Sequence, residues 1–248
     1  MTVELEAQRQ FWNSWNAHFR EKERQQVSLQ QAEVVLRWLE ELGTQNLRIL
    51  EVGCGTGWLC AEITPFGTVV GTDLSDEVLE RARLRWPAIE FRSGDFFALP
   101  FEASSFDVII SLEVLAHVED QQEFIARVGH LLVPGGKLLL ATQNRPVLEK
   151  HCVIPPPAPG QLRRWVDSTE LAELVSRDFE VEELFSITPI AHKGFRRVVT
   201  SRRVNGILEF TGIRMRKVLE GAGWGWTLML KARRKGALEA QSSPNFIK

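Results

Sequence analysis

A chain of 248 residues with 44% hydrophobic and 25% charged content has a globular composition and enough length for a full α/β core. A formal net charge of −2 supplies no general attraction to nucleic acid or an anionic membrane, so DNA and membrane are not expected partners. Three cysteines (Cys54, Cys60, Cys152) without metal-ligand spacing, a polar N-terminus and no bilayer-length apolar run point to the reducing cytoplasm.

Between Val3 and Gln26 the residues Phe11, Trp12, Trp15 and Phe19 recur at helical spacing and mark one helix face. That face either packs on the main body or caps a ligand site. Ser28 reads as the N-cap of a second helix, with Leu29, Ala32, Leu36 and Leu39 on one side and Gly43 to end it. The apolar run 47–52 is a buried strand that breaks into Gly53-Cys54-Gly55-Thr56-Gly57, followed by a helix over 58–64. Glycines at such a turn allow a left-handed backbone and bring bare N–H groups close to a ligand. A dinucleotide fingerprint would place a small residue at position 58, where Trp58 stands, so NAD and FAD are disfavoured.

A second apolar run, 68–73, also ends in an acid. Asp73 follows the first glycine by about 20 residues, the separation at which a carboxylate meets ribose hydroxyls in such folds. The segment 90–96 carries a third strand into a loop through Gly94-Asp95-Phe96. After the polar turn 102–105 comes a fourth strand, 106–111, and Leu112, Glu113 and His117 leave its carboxyl end, where open α/β sheets bind ligands. An amphipathic helix over 121–132, a Val133-Pro134-Gly135-Gly136 turn and a fifth strand, 137–142, follow.

Beyond Asn144 the pattern loosens. Pro155, Pro156, Pro157 and Pro159 make 153–160 a stiff loop at the strand ends, suited to a substrate wall or lid. Asp167 and Ser168 cap a helix through Arg177, and strands are expected over 179–187 and 225–233. Between those strands, 188–224 is an insertion with helical stretches. It carries His192, Lys193, Arg196, Arg197, Arg202, Arg203, Arg214, Arg216 and Lys217 against Glu209 and Glu220. This is either a solvated basic face or a patch for a carboxylate, a phosphate or the acidic surface of a carrier protein.

Glu51-Val52-Gly53-Cys54-Gly55-Thr56-Gly57 resembles motif I of the class I S-adenosylmethionine-dependent methyltransferases. The stretch from Pro100-Phe101 through Phe106-Asp107 to His117 resembles the family's fourth motif, and Leu132-Val133-Pro134-Gly135-Gly136 also matches it. The resemblance runs from Leu47 to Thr142. It implies an α/β fold, a Rossmann-like seven-stranded and mostly parallel sheet, in one methyltransferase domain over 1–235. Within it, 1–43 would be an N-terminal helical cap, 44–145 the cofactor-binding core and 146–235 the substrate side, with the basic lid 188–224 inserted before the last strand. Residues 236–248 read as a disordered tail. The implied cofactor is S-adenosyl-L-methionine, held by Glu51, Gly53, Cys54, Gly55, Gly57, Asp73, Leu74, Asp95, Phe96 and Leu112. Asp95 would accept the adenine amino group and Phe96 flank the ring.

Methyl transfer to a hydroxyl needs a base. His117 is the candidate, with Glu113 four residues earlier sharing its face if the segment is helical. His151 and His192 are the alternatives. Trp12, Trp15, Arg196 and Arg197 are expected to meet the acceptor. Ser111-Leu112-Glu113-Val114 stands where adenine-N6 and glutamine methyltransferases carry an Asn/Asp-Pro-Pro-aromatic tetrapeptide, and no carboxylate set for a catalytic metal is visible. The expected acceptor is therefore a small or carrier-tethered molecule, anionic if the basic insertion takes part. O-methylation in natural-product biosynthesis leads. N- or C-methylation, RNA methylation and a non-catalytic cofactor-binding module stay open, and the oligomeric state is not set.

Overall fold

The computed structural model describes residues 3–20, 26–200 and 215–236. Seven strands form one sheet: β1 (Leu47–Val52), β2 (Gly67–Asp73), β3 (Glu90–Ser93), β4 (Phe106–Leu112), β5 (Leu132–Gln143), β6 (Phe179–Pro189) and β7 (Gly225–Arg234). Their order is β3-β2-β1-β4-β5-β7-β6. The first five run parallel, and β7 is antiparallel to both neighbours. Parallel strands are covered on both faces and read as continuous apolar runs. Ile49 and Leu50 of β1, with Ile109 and Ile110 of β4, are accordingly buried without remainder.

The expected helices cover the two faces. On one side α2 (Gln26–Leu42), α3 (Trp58–Ile63) and α4 (Asp76–Arg85) set Trp38, Leu39, Ile63 and Leu79 against the sheet. On the other, α5 (Gln121–Leu131) and α7 (Ser168–Ser176) set Phe124, Val128, Leu171 and Val175 against it. Asp167 caps α7 in a capping box with Glu170. Ahead of these lie α1 (Val3–Trp15) and a π-helical turn, Asn16–Arg20. Three short helices complete the substrate side: α6 (Arg145–His151), α8 (Gly194–Val199) and α9 (Met215–Gly221).

Several boundaries differ from the sequence expectation. Ser28 is not an N-cap: α2 already runs from Gln26, and Ser28 is a buried interior residue. Gly43 does end the helix, in a left-handed conformation at φ 60° with its N–H on the carbonyl of Glu40. Strand β5 starts at Leu132 rather than Lys137, and the Pro-Gly-Gly turn lies within it as a register shift against β4. Helix α6 was not foreseen; Asn144 and Pro146 start it where the apolar periodicity had faded. Of the insertion 188–224, positions 201–214 lie outside the described residues, as do Arg202, Arg203 and Arg214 with them. So do 237–248 of the expected tail. Among the described residues no helix is long and apolar enough to cross a membrane, and the three thiols are free and buried.

Candidate active site

The strand order reverses between β1 and β4, and a crevice opens there beyond the strand carboxyl ends. It is a cleft of 1690 Å³. Small-molecule sites usually occupy about 300–1,000 Å³, so this one has room for two ligands side by side.

One half is built by the glycine turn and the ends of β2 and β3. Gly53 and Gly57 are left-handed at φ 75° and 72°. A Cβ on Gly53 would come within 2.1 Å of Val114 Cγ2, so only glycine lets the turn lie against β4's exit. The N–H groups of Gly53 and Cys54 both donate to the Thr72 carbonyl, at 2.7 and 2.9 Å. Asp73 is held by two backbone donors: Gly55 N–H to Oδ2 and Ser75 N–H to Oδ1, each at 2.8 Å. Asp95 accepts from Phe97 N–H at 3.0 Å, and the Phe96 ring lies 5.4 Å from that of Phe124. Glu51 forms the floor. Burial pushes its carboxyl up to about 8, and Cys60 Sγ donates to Oε2 at 2.9 Å.

Glu51, Gly53, Cys54, Gly55, Asp73, Leu74, Asp95, Phe96 and Leu112 all line the cleft. Gly57 does not. A Cβ there would meet Phe91 Cζ at 2.6 Å, so this glycine serves the packing of α3 on β3 rather than contact with a ligand. No lysine or arginine from the β1, β2 or β3 ends faces this half, while three carboxyl groups do. Such a cradle suits a nucleoside whose hydroxyls and amino group donate hydrogen bonds, and one carrying positive charge rather than phosphate.

The remaining lining includes Trp12 and Trp15 from α1, His117, Gln161, Arg163, Arg164, Trp165, His192 and Trp226. His117 lies in a 3₁₀ turn, Leu115–His117. Its Nδ1 is 2.7 Å from the Leu162 carbonyl, which accepts only from a protonated nitrogen, so Nε2 is the unprotonated one in the neutral ring. Burial pulls its pKa below the ordinary imidazole value. The Leu162 bond opposes that shift and the Arg163 charge adds to it. Trp12 packs edge-on at 4.8 Å.

Glu113 is not the partner of His117. Its backbone turns left-handed at φ 65°, which breaks any helix between them. Its Oε1 instead accepts from Gln31 Nε2 at 2.5 Å and Thr227 Oγ1 at 3.4 Å. His192 lines the cleft, but its Nδ1 accepts from Val153 N–H at 3.0 Å, which leaves the proton on Nε2 and makes it a donor. His151 contributes its carbonyl to the N–H groups of His192 and Lys193 and is not a lining residue. Arg197 is exposed on α8, away from the lining, and the side chains of Arg196 and Phe19 lie outside the described residues. Arg163, Trp165 and Trp226 escaped sequence reasoning. An arginine and a tryptophan directly after the proline-rich loop were the available signal. The Leu162 carbonyl had none. Among the described residues no cluster of three or more His, Cys, Asp and Glu is placed to hold a metal ion.

Residues 50–140 match a family model described as a methyltransferase domain. The chain is 40% identical over 106 residues to the ubiquinone biosynthesis O-methyltransferase of Chelativorans sp. (strain BNC1), covering 41% of this chain and 42% of that protein. Across such curated relatives the match spans 42% to 59% of their length. Among solved structures, the putative methyltransferase in complex with the Trm112 activator from Haloferax volcanii superposes with a TM-score of 0.65 at 20% identity, covering 91% of this chain and 98% of that one. The N-methyltransferase NodS of Bradyrhizobium japonicum WM9, in complex with S-adenosyl-L-homocysteine, gives 0.61 at 16% identity, covering 93% and 100%. At these identities the structural likeness shows the fold, which is that of the class I methyltransferases.

Proposed function

We propose that this chain, a class I methyltransferase fold whose residues 50–140 match the methyltransferase domain, transfers a methyl group from S-adenosylmethionine to a hydroxyl. The acceptor on this reading is a small molecule of natural-product type, free or presented on a carrier's arm. The observation that carries it is the His117 tautomer. An imidazole fixed through Nδ1, with an unprotonated Nε2 in the cleft wall, is what removal of a hydroxyl proton requires. The Chelativorans relative is named an O-methyltransferase, which supports the same atom.

When bound, S-adenosylmethionine supplies a methyl group already activated on a sulfonium. Asp73 would take the ribose hydroxyls, and Asp95 with Phe96 the adenine. The backbone bonds from Gly55 and Ser75 keep Asp73 from turning away. With both ligands seated, alignment in the cleft contributes on the order of 7–11 kcal/mol of barrier lowering. His117 Nε2 takes the acceptor's proton. Trp12 and Trp15 cover that side of the cleft and keep water from it. Exposed Lys193, Arg197 and Lys217 flank the β6–β7 connection and favour an anionic carrier over a neutral one.

The test joins calorimetry with initial rates of S-adenosylhomocysteine release on a panel of phenols. S-adenosylhomocysteine is expected to bind the native chain and His117→Ala equally, while His117→Ala loses turnover by about 10²-fold or more. The native rate is expected to stay level through neutral pH and fall only below the ordinary imidazole value of about 6.5, because burial lowers the His117 pKa. Near-normal turnover in His117→Ala would overturn the base assignment. Failure of the native chain to bind S-adenosylhomocysteine would overturn the function itself.

A further inference from the structure

Arg163 brings a positive charge into the cleft beside His117. It follows Leu162, whose carbonyl holds the His117 ring, and it lines the same wall. Several arginines of the fold meet carboxylates, among them Arg9 with Asp76, Arg48 with Asp107 and Arg145 with Asp167, while others such as Arg83 and Arg127 bond to backbone carbonyls outside the cleft. For Arg163 no carboxylate lies within 4.0 Å among the described residues, and burial alone pulls its pKa below the ordinary guanidinium value. A half-buried cation without a protein counter-charge keeps its charge available to an anionic ligand.

The guanidinium is also held in place. Nη1 donates to the Pro155 carbonyl and Nη2 to Gln161 Oε1, both at 2.6 Å, and Cζ lies 6.0 Å from the Trp165 ring centre. Two of its five N–H groups are thus bonded to the proline-rich loop and its exit, which leaves three for a ligand. A planar fork carrying one charge matches a carboxylate, whereas a phosphate dianion would call for a second cation. Arg164 also lines the cleft, but it is exposed, so that water screens its charge, and its Nη1 is engaged by the Glu119 carbonyl. Trp165 lies beside the guanidinium and Trp12 against His117, and both line the cleft, which suits a flat aromatic body.

We propose that Arg163 is the residue that selects the acceptor, binding the carboxylate of an aromatic acid next to the His117 base. This rests on reading the cleft as a methyl-transfer site. It moves anion recognition from the exposed insertion to the loop that carries the His117 anchor. It also ties recognition to base strength. The groups facing His117 are the Leu162 carbonyl, the Arg163 charge and the Trp12 ring. A bound carboxylate offsets the Arg163 charge, so the imidazole becomes a stronger base when an anionic acceptor arrives.

The probes are benzoate and its neutral isostere benzamide, titrated into full-length protein saturated with S-adenosylhomocysteine. Benzoate is expected to bind at least about tenfold tighter than benzamide. In Arg163→Gln the two should bind equally, with S-adenosylhomocysteine affinity unchanged, and Arg163→Lys should keep a reduced preference. By NMR, the His117 titration (assigned with His117→Gln) should move to higher pH on adding benzoate to the native protein and stay put in Arg163→Gln. Equal binding of the two probes by the native protein, which needs no variant, overturns the proposal. So does a benzoate preference that survives in Arg163→Gln. Loss of S-adenosylhomocysteine binding in the native chain would instead overturn the methyl-transfer reading beneath it.

Discussion

Glu51 is buried and His117 half-buried in one cleft, and desolvation moves them in opposite directions because it disfavours whichever form is charged. Glu51 is pushed up to about 8 by burial, with Cys60 opposing and the Asp73 charge adding, so its carboxyl is protonated at neutral pH in the cofactor-free protein. A carboxyl whose folded pKa lies above its unfolded value of 4.5 stabilises the fold fully below that value, and the contribution is lost as pH rises to the folded one. The cofactor-free chain should therefore lose stability between about pH 5 and 8, at no more than roughly 1.4 kcal/mol per pH unit from this group. Thermal melts across that range check it. Glu51→Gln should flatten the profile, and an unchanged slope in the variant would contradict the assignment. The acid at position 51 was legible from its place ahead of the glycine turn. Its protonation was not, because that depends on the depth at which the folded sheet buries it.

In the strand–turn–helix element β1–α3, Gly53 and Gly55 line the cleft and Gly57 packs away from it. Gly57 is left-handed and faces Phe91 rather than the cleft. Gly57→Ala must strain the backbone and displace the Phe91 ring, a loss of about 1–3 kcal/mol in denaturant unfolding. Its effect on S-adenosylhomocysteine affinity should be smaller than on stability; a neutral variant would argue against the packing role. Alternating glycines after an apolar run could be read directly, since few other residues adopt such a turn. The exit of β4 could not. Glu113 takes a left-handed conformation with no glycine to announce it, where Gln31 of α2 and Thr227 of β7 bond its side chain. Helix α6 was likewise invisible, its seven residues being too few to show a periodicity.

Across the whole molecule, α1 bridges elements far apart in the chain. Asn13 Nδ2 donates to Asp76 Oδ1 at 3.0 Å, Ser75 Oγ donates to Asn13 Oδ1 at 2.5 Å, and Arg9 pairs with Asp76 at the start of α4. On its other side Ala7 packs so closely on Gly160 that a Cβ there would lie 2.4 Å from the Ala7 carbonyl oxygen. The helix thus ties the start of α4, just beyond the Asp73 end of β2, to the proline-rich loop, with Trp12 on His117. Deleting residues 1–20 should leave the sheet folded by circular dichroism and weaken S-adenosylhomocysteine binding by about tenfold, or 1.4 kcal/mol. Unchanged affinity would show that α1 only covers the surface. The sequence by itself determined the apolar strand runs, the glycine turn and the acids at the strand ends, because periodicity and left-handed turns are short-range properties of the chain. The seven-stranded sheet that the structure shows was implied only by the resemblance of its motifs. The tertiary structure alone decided what the polar groups around the cleft do. His117 is oriented by a carbonyl 45 residues away, and Glu113 is claimed by an amide 82 residues away. A hydrogen bond is made by whichever group folding brings within about 3 Å, and no local pattern records that.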